Sequence, residues 1–202
     1  MNTLTASLPD KNTELDGRKL RANNSRQKIV DAMLALLRSG DISPSAENVA
    51  NTANVGLRTV FRRFSEMEIL YREMIIEVQK KFIHNVFIPF KSDIWQEQLD
   101  EFLDRKSVIY EDLMPYRVAA NFHLHQSKFI RENITKWNHI ERKLLLNIVP
   151  SKIANNKALF NSLELTLSFG SWIQLRLDQN LSVKQASHVK RKLVHALLAE
   201  HL

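Results

Sequence analysis

Arg58, Arg62 and Arg63 stand within six residues, preceded by Leu57 and interleaved with Thr59 and Phe61. Guanidinium groups at this density pair with phosphate oxygens, and one set on a guanine edge discriminates between bases by about 1–3 kcal/mol. If LRTVFRRF is helical, Val60 and Phe64 lie four apart on an inward face. The outward set is then Leu57, Arg58, Thr59, Phe61, Arg62 and Arg63. Two alternatives stand beside this reading. The arginines can form an ordinary solvated face paired to nearby acids, and the Phe61 ring can pack beneath a preceding helix instead of facing out.

Such a helix needs partners that fix its angle. Ser45 is an N-cap candidate for a short helix burying Val49, Ala50 and Ala53, with Ala50 small where two helices would cross. Ala53-Asn54-Val55-Gly56 separates that helix from the arginine-bearing one, and Asn54 tolerates the positive φ of a tight turn. Upstream, Ile29, Met33, Leu36 and Leu37 recur at i, i+4, i+7 and i+8, so a helix is predicted to end near Ser39-Gly40. Downstream, Ser65 and Glu68 have the spacing of a capping box for a long helix carrying Leu70, Met74, Val78 and Phe82, ended by Pro89.

These features together resemble the DNA-binding domain of the TetR family of transcriptional regulators. RQKIVDAMLALL is similar to the family's first helix, and PSAENVANTANVGLRTVFRRFSEMEIL to its helix-turn-helix and the start of its fourth helix, ungapped over about residues 26–71. The resemblance implies double-stranded DNA with a palindromic operator as partner. It puts Ser45 and Thr59 at hydroxyl positions that contact phosphate, and Phe61 where tyrosine is usual. Arg63 replaces a common histidine. Gly56 stands where serine or threonine is frequent and Met67 where a phosphate-contacting lysine is frequent, so neither of those contacts carries over.

Beyond Tyr71 the similarity is one of architecture. Helical patterns are predicted at about 93–110, 115–126 and 127–148, with breaks at Pro115 and Pro150, and two helices close the chain at 158–177 and after Ser182. Ser182 and Gln185 form a second capping box, followed by Ala186, Val189, Leu193, Ala196 and Leu197 on one predicted face. Gly170 with Ser168 and Ser171 permits close helix approach. These last two helices either complete a four-helix bundle with a second copy or fill a monomer core. The family architecture implies the homodimer, a ligand cavity in the middle helices, and repression relieved by a small-molecule inducer. Trp95, Phe102, Phe122, Phe129, Trp137 and Trp172 are the candidate cavity residues, with core packing as the alternative for each.

The predicted fold class is thus all-α: a three-helix helix-turn-helix domain (24–71) joined by a long helix to a helical-bundle ligand-binding and dimerisation domain (72–202), after a disordered basic tail (1–23). Four glycines and five prolines in 202 residues leave little turn chemistry for a sheet. The formal charge of +7 is uneven: 17–30 carries Arg18, Lys19, Arg21, Arg26 and Lys28 and no acid. That arm is either a solvated tail or a DNA contact.

Cysteine is absent, which excludes disulfides, thiolate catalysis and cysteine-ligated zinc. No run approaches the roughly 18–20 apolar residues of a membrane span, and Met1 to Asp16 lacks the apolar stretch of a signal peptide, so a cytoplasmic protein is expected. His123 and His125 point apart on a helix, and His188 and His195 are separated by about 10 Å along one. His139 has no partner at metal-ligand spacing. Glu97, Asp100, Glu101 and Asp104 lie beside Arg105 and Lys106, the pattern of an ion-paired face. No phosphate loop, nucleophile elbow or zinc-protease motif occurs, so neither enzyme, cofactor nor metal is expected. A basic RNA- or membrane-surface module would account for the charge but not for the ordered turn and caps.

Overall fold

The structure, a computed structural model, describes residues 11–125 and 127–199, with the side chains of 11–19 and Arg21 left aside. It is all-α: among the described residues there are ten α-helices, one π-helical turn and no strand. Two compact units divide at Ile75/Ile76, inside the fourth helix.

In the first unit, α1 (Lys11–Arg38), α2 (Ala46–Thr52), α3 (Leu57–Arg63) and the start of α4 (Met67–Val86) enclose a small core. Ile29, Val30, Met33 and Leu37 of α1 meet Val49 and Ala50 of α2, Val60 of α3, Phe64, and Leu70, Tyr71 and Met74 of α4, all buried. Each large apolar side chain so placed contributes about 1.5–3 kcal/mol.

The helix ends follow local chemistry. Gly40 at φ 98° closes α1, with Asp41 N–H donating to Leu36 O (3.1 Å) and Gly40 N–H to Leu37 O (3.1 Å). This Schellman pattern pairs two carbonyls that the helix leaves open. Asn54 at φ 52° repeats it after α2, with Val55 N–H on Ala50 O at 3.0 Å. The fourth helix begins at Met67, one residue later than Ser65 as N-cap would start it.

The disordered tail expected over 1–23 does not hold from Lys11 onward, where the chain is already helical; residues 1–10 lie outside those described. Once Ile29–Leu37 is buried and nucleated, extension upstream adds one hydrogen bond per residue fixed, and Lys19, Leu20, Arg21 and Ala22 are good helix formers.

The second unit contains the rest of α4, α5 (Trp95–Phe122), α6 (Lys128–Ile148), α7 (Ser151–Ala154), α8 (Lys157–Thr166), α9 (Phe169–Ile173), the π-helical turn Gln174–Asp178 and α10 (Val183–Ala199). One core cluster joins Leu99, Phe102 and Leu103 to Leu145, Phe160, Leu163 and Val194. A second gathers Phe169, Trp172, Leu175 and Ala186 around Tyr110.

Three expectations need correction here. Pro115 does not break the chain into two helices but sits inside α5. A proline in a helix interior costs about 3 kcal/mol, and Tyr110, Leu113, Tyr116, Ala119 and Ala120, all buried on either side of it, hold both halves to one axis. The helix predicted over 158–177 is interrupted at Leu167-Ser168. The Ser168 hydroxyl caps α9 by accepting from Ser171 N–H at 3.1 Å, while Ser171 Oγ donates to Thr166 O at 2.8 Å. Side chains that compete for backbone groups favour such a restart over a continuous helix. Finally, α10 buries Ala186, Lys190, Val194 and Leu198, whereas Leu193 and Ala196 are exposed. The Lys190 ammonium donates to Ser168 O at 2.9 Å and lies 5.3 Å from the ring centres of both Tyr110 and Trp172, so the stripe containing a lysine is the inward one. The Ser182–Gln185 capping box forms as spaced: Ser182 N–H donates to Gln185 Oε1 (2.9 Å) and Gln185 N–H to Ser182 Oγ (3.3 Å).

Candidate nucleic-acid interface and ligand cavity

Helix α3 is pinned by Val60 and Phe64, which are 0% and 1% exposed. Those two anchors fix which side chains remain outside. Leu57, Arg58, Phe61 and Arg62 are exposed, and Thr59 is half-buried. The Phe61 ring, 48% exposed, faces outward and does not pack beneath α1. Exposed large apolar groups between arginines can meet sugar and base methyls while the guanidinium groups take phosphates.

Arg63 departs from the expected outward set. It is half-buried, its Nε is buried with no hydrogen-bond partner, and its carbonyl accepts from Arg26 Nη1 at 3.0 Å. One turn of helix separates it from Thr59, on the flank that turns toward α1.

Arg26, counted in the basic arm, is committed inside the unit. Its Nη2 donates to Glu73 Oε1 at 2.8 Å, and its guanidinium lies 4.4 Å from the Phe64 ring centre. It therefore joins α1, the end of α3 and α4. The functional role assigned to the arm on charge alone missed this contact; the signal available was only an arginine and a glutamate far apart in sequence.

Ser45 is exposed and caps α2, its hydroxyl accepting from Asn48 N–H at 3.1 Å. An accepting hydroxyl keeps its own proton, so donation to a phosphate remains open. Gly56 caps α3 without a side chain, at φ −69°, and a Cβ built there meets nothing within 4 Å.

In the second unit a cleft of about 360 Å³ is bounded by Phe102, Leu145, Leu165 and Phe169 and by the charged groups Lys106, Arg117, Arg142, Glu141 and Glu164. Of the six aromatic candidates, only Phe102 lines it. Trp137 borders a neighbouring void of about 20 Å³ and donates from Nε1 to Glu141 Oε1 at 3.2 Å. Trp172 is fully buried in the second core cluster, Trp95 packs against the first, Phe129 is half-buried and Phe122 is 59% exposed. None of these last four borders that cleft, whose lining mixes charged and amide side chains with the apolar Phe102, Leu145, Leu165, Leu167 and Phe169.

Glu141 is the hub of that lining. It accepts from Lys106 Nζ at 2.9 Å and from the Tyr110 hydroxyl at 2.8 Å. Burial, reinforced by the adjacent carboxylate, pushes the Tyr110 hydroxyl well above its ordinary range. Burial depresses Lys190 to about 7, with Lys106 adding to the depression and Glu141 opposing it. Arg142 pairs with Glu164. Among the described residues no group of three or more side chains suited to a metal ion occurs, and no helix is long and apolar enough to cross a membrane.

No family model matches the chain, and no curated protein matches it. A solved structure, the crystal structure of a TetR transcriptional regulator from Rhodococcus sp. RHA1, is similar over 91% of this chain and 100% of its own, with a TM-score of 0.52 and 16% identity. This is the TetR-regulator fold. At 91% of the chain the likeness extends well past the helix-turn-helix, into the region where the sequence resemblance had faded.

Proposed function

We propose that this chain is a sequence-specific DNA-binding transcriptional regulator and not an enzyme, acting in the cytoplasm as a homodimeric repressor that a small molecule releases from a palindromic operator. The observation that carries the reading is the α3 surface: Leu57, Arg58, Phe61 and Arg62 stand exposed on a helix whose opposite side is fixed in a core. Arg58 and Arg62 bind phosphate or guanine, Phe61 and Leu57 make apolar contacts, and the Ser45 and Thr59 hydroxyls add neutral phosphate contacts.

A second copy supplies the second reading head, since two-fold proteins read two-fold sites. The exposed apolar residue Leu193 on α10 supports an interface on the last helices. A ligand in the cleft weakens operator binding only if it prefers the DNA-incompetent arrangement, and couplings of about 1–3 kcal/mol are usual. Helix α4, which contributes residues to both units, is the covalent route for that coupling.

Selection from random double-stranded DNA at moderate salt tests the reading. Recovery of one palindromic site is the expected result. Recovery of unrelated sequences, with affinity that collapses as salt rises, would reduce the arginines to a source of charge and end the regulator reading.

A further inference from the structure

The proposed function leaves the ligand's chemistry open, and the charges around the cleft narrow it. Lys106 is satisfied by Glu141, and Arg142 by Glu164. Glu141 is in turn saturated by Lys106, Tyr110 and Trp137. Arg117 is the cation without a salt-bridge partner, although the Glu141 carboxylate attracts it from across the cleft. Among the described residues no carboxylate forms an ion pair with it, its Nε is buried without a hydrogen-bond partner, and its guanidinium lies 5.0 Å from the Phe169 ring centre at the cleft wall. The lining thus carries three cations against two carboxylates, and the surplus positive charge is half-buried.

A guanidinium partly withdrawn from water gains little from a carboxylate already engaged by three other donors, and a ligand that brings its own offsets that cost. Its planar fork fits a carboxylate in two parallel hydrogen bonds. Glu141 and Glu164 on the same walls repel a second negative charge, which disfavours dianions. The remaining walls, Phe102, Leu145, Leu165 and Phe169, are apolar, and about 360 Å³ lies at the small end of ligand cavities, roughly 300–1,000 Å³.

Building on the regulator reading, we infer that the cleft binds a small amphipathic monocarboxylate, its carboxylate on Arg117 and its apolar body against Phe102, Leu145, Leu165 and Phe169. Phe169 has two functions there: its ring steadies the guanidinium and it forms part of the apolar wall.

The test is calorimetric titration of the full chain, without DNA, with octanoate and 4-phenylbutyrate, their primary amides, and octylphosphonate. At least one acid is expected to bind about tenfold or more tightly than its amide, with the phosphonate weaker than octanoate. Arg117→Gln should abolish the acid's advantage and leave amide affinity within about twofold, while Arg117→Lys keeps part of it. Circular dichroism melts establish that the variants fold; should Arg117→Gln not fold, the acid-to-amide ratio of the unaltered protein and of Arg117→Lys decides. Equal binding of acids and amides, no acid binding below ~1 mM, or an acid preference that survives Arg117→Gln would each overturn the assignment. Because DNA is absent, failure here leaves the operator-binding reading standing, and failure to select an operator leaves the carboxylate result standing.

Discussion

Arg26 Nη2 lies 2.8 Å from Glu73 Oε1, and the same guanidinium donates through Nη1 to Arg63 O at 3.0 Å and covers the Phe64 ring. Three helices meet on one side chain. Both partners of the ion pair are about one-third exposed, so its Coulomb share is small; the carbonyl contact and the ring contact add to it. Arg26→Ala should lower stability by about 1–2 kcal/mol, read in urea melts. It should weaken DNA binding only in proportion to the folded fraction. A full loss of DNA binding in a variant with unaltered melting would put Arg26 at the phosphate backbone instead.

The exposed arginines should behave otherwise. Arg58→Ala and Arg62→Ala are expected to change stability by less than about 0.5 kcal/mol and to weaken operator binding. Where the lost contact is a phosphate, the slope of log affinity against log salt falls by about one unit. Arg63→Ala, at a half-buried position, should show a stability loss as well. Salt slopes and affinities unchanged from those of the unaltered protein in all three variants would remove α3 from the interface.

Gly56 offers a gain. A side chain there meets open space and the backbone is in the ordinary extended region, so Gly56→Ser should cap α3 and stabilise by a few tenths of a kcal/mol. The new hydroxyl should also tighten operator binding. A lower melting temperature would show that α3 does not start where the structure puts it.

Lys190 makes stability depend on pH with a definite sign. The unfolded lysine keeps its proton to about 10.5, whereas the buried one releases it near 7. Between these values the unfolded chain holds more protons, so stability rises with pH across that window by up to ~1.4 kcal/mol per unit from this group. The penalty is complete below about pH 7. Lys190→Met should flatten the slope of unfolding free energy between pH 7 and 10, relative to the unaltered protein, while the Ser168 carbonyl keeps the Ser171 hydroxyl as a donor. Parallel slopes in the two proteins would place the ammonium in water.

Much of the first unit was legible because its signals are local. Ser45 caps α2, Asn54 takes positive φ, and LRTVFRR forms α3 as its spacing predicts; each depends on residues within a few positions. The Ser182–Gln185 box was legible for the same reason. What failed depends on distant partners. Nothing near Pro115 announces that buried neighbours will carry a helix through it, and nothing near Lys190 announces two aromatic rings and a carbonyl. Arg63 was assigned outward because Arg26 lies 37 positions away. The cleft was sought among aromatic residues, while its charge comes from Lys106, read as part of an ion-paired face, and from Arg117, Glu141 and Glu164, which no local pattern brings together.

The interruption of the helix at Leu167-Ser168 has a consequence for how the cleft can change. Leu167 O accepts from the Tyr110 hydroxyl at 3.2 Å and Ser168 O from Lys190, so this part of the cleft is held by main-chain oxygens that every amino acid possesses. Replacing Leu165, or adding a side chain at Gly170, can recut the chamber without removing either bond. The frame then stays fixed while its contour changes, so a single substitution on this wall can alter what the cleft admits.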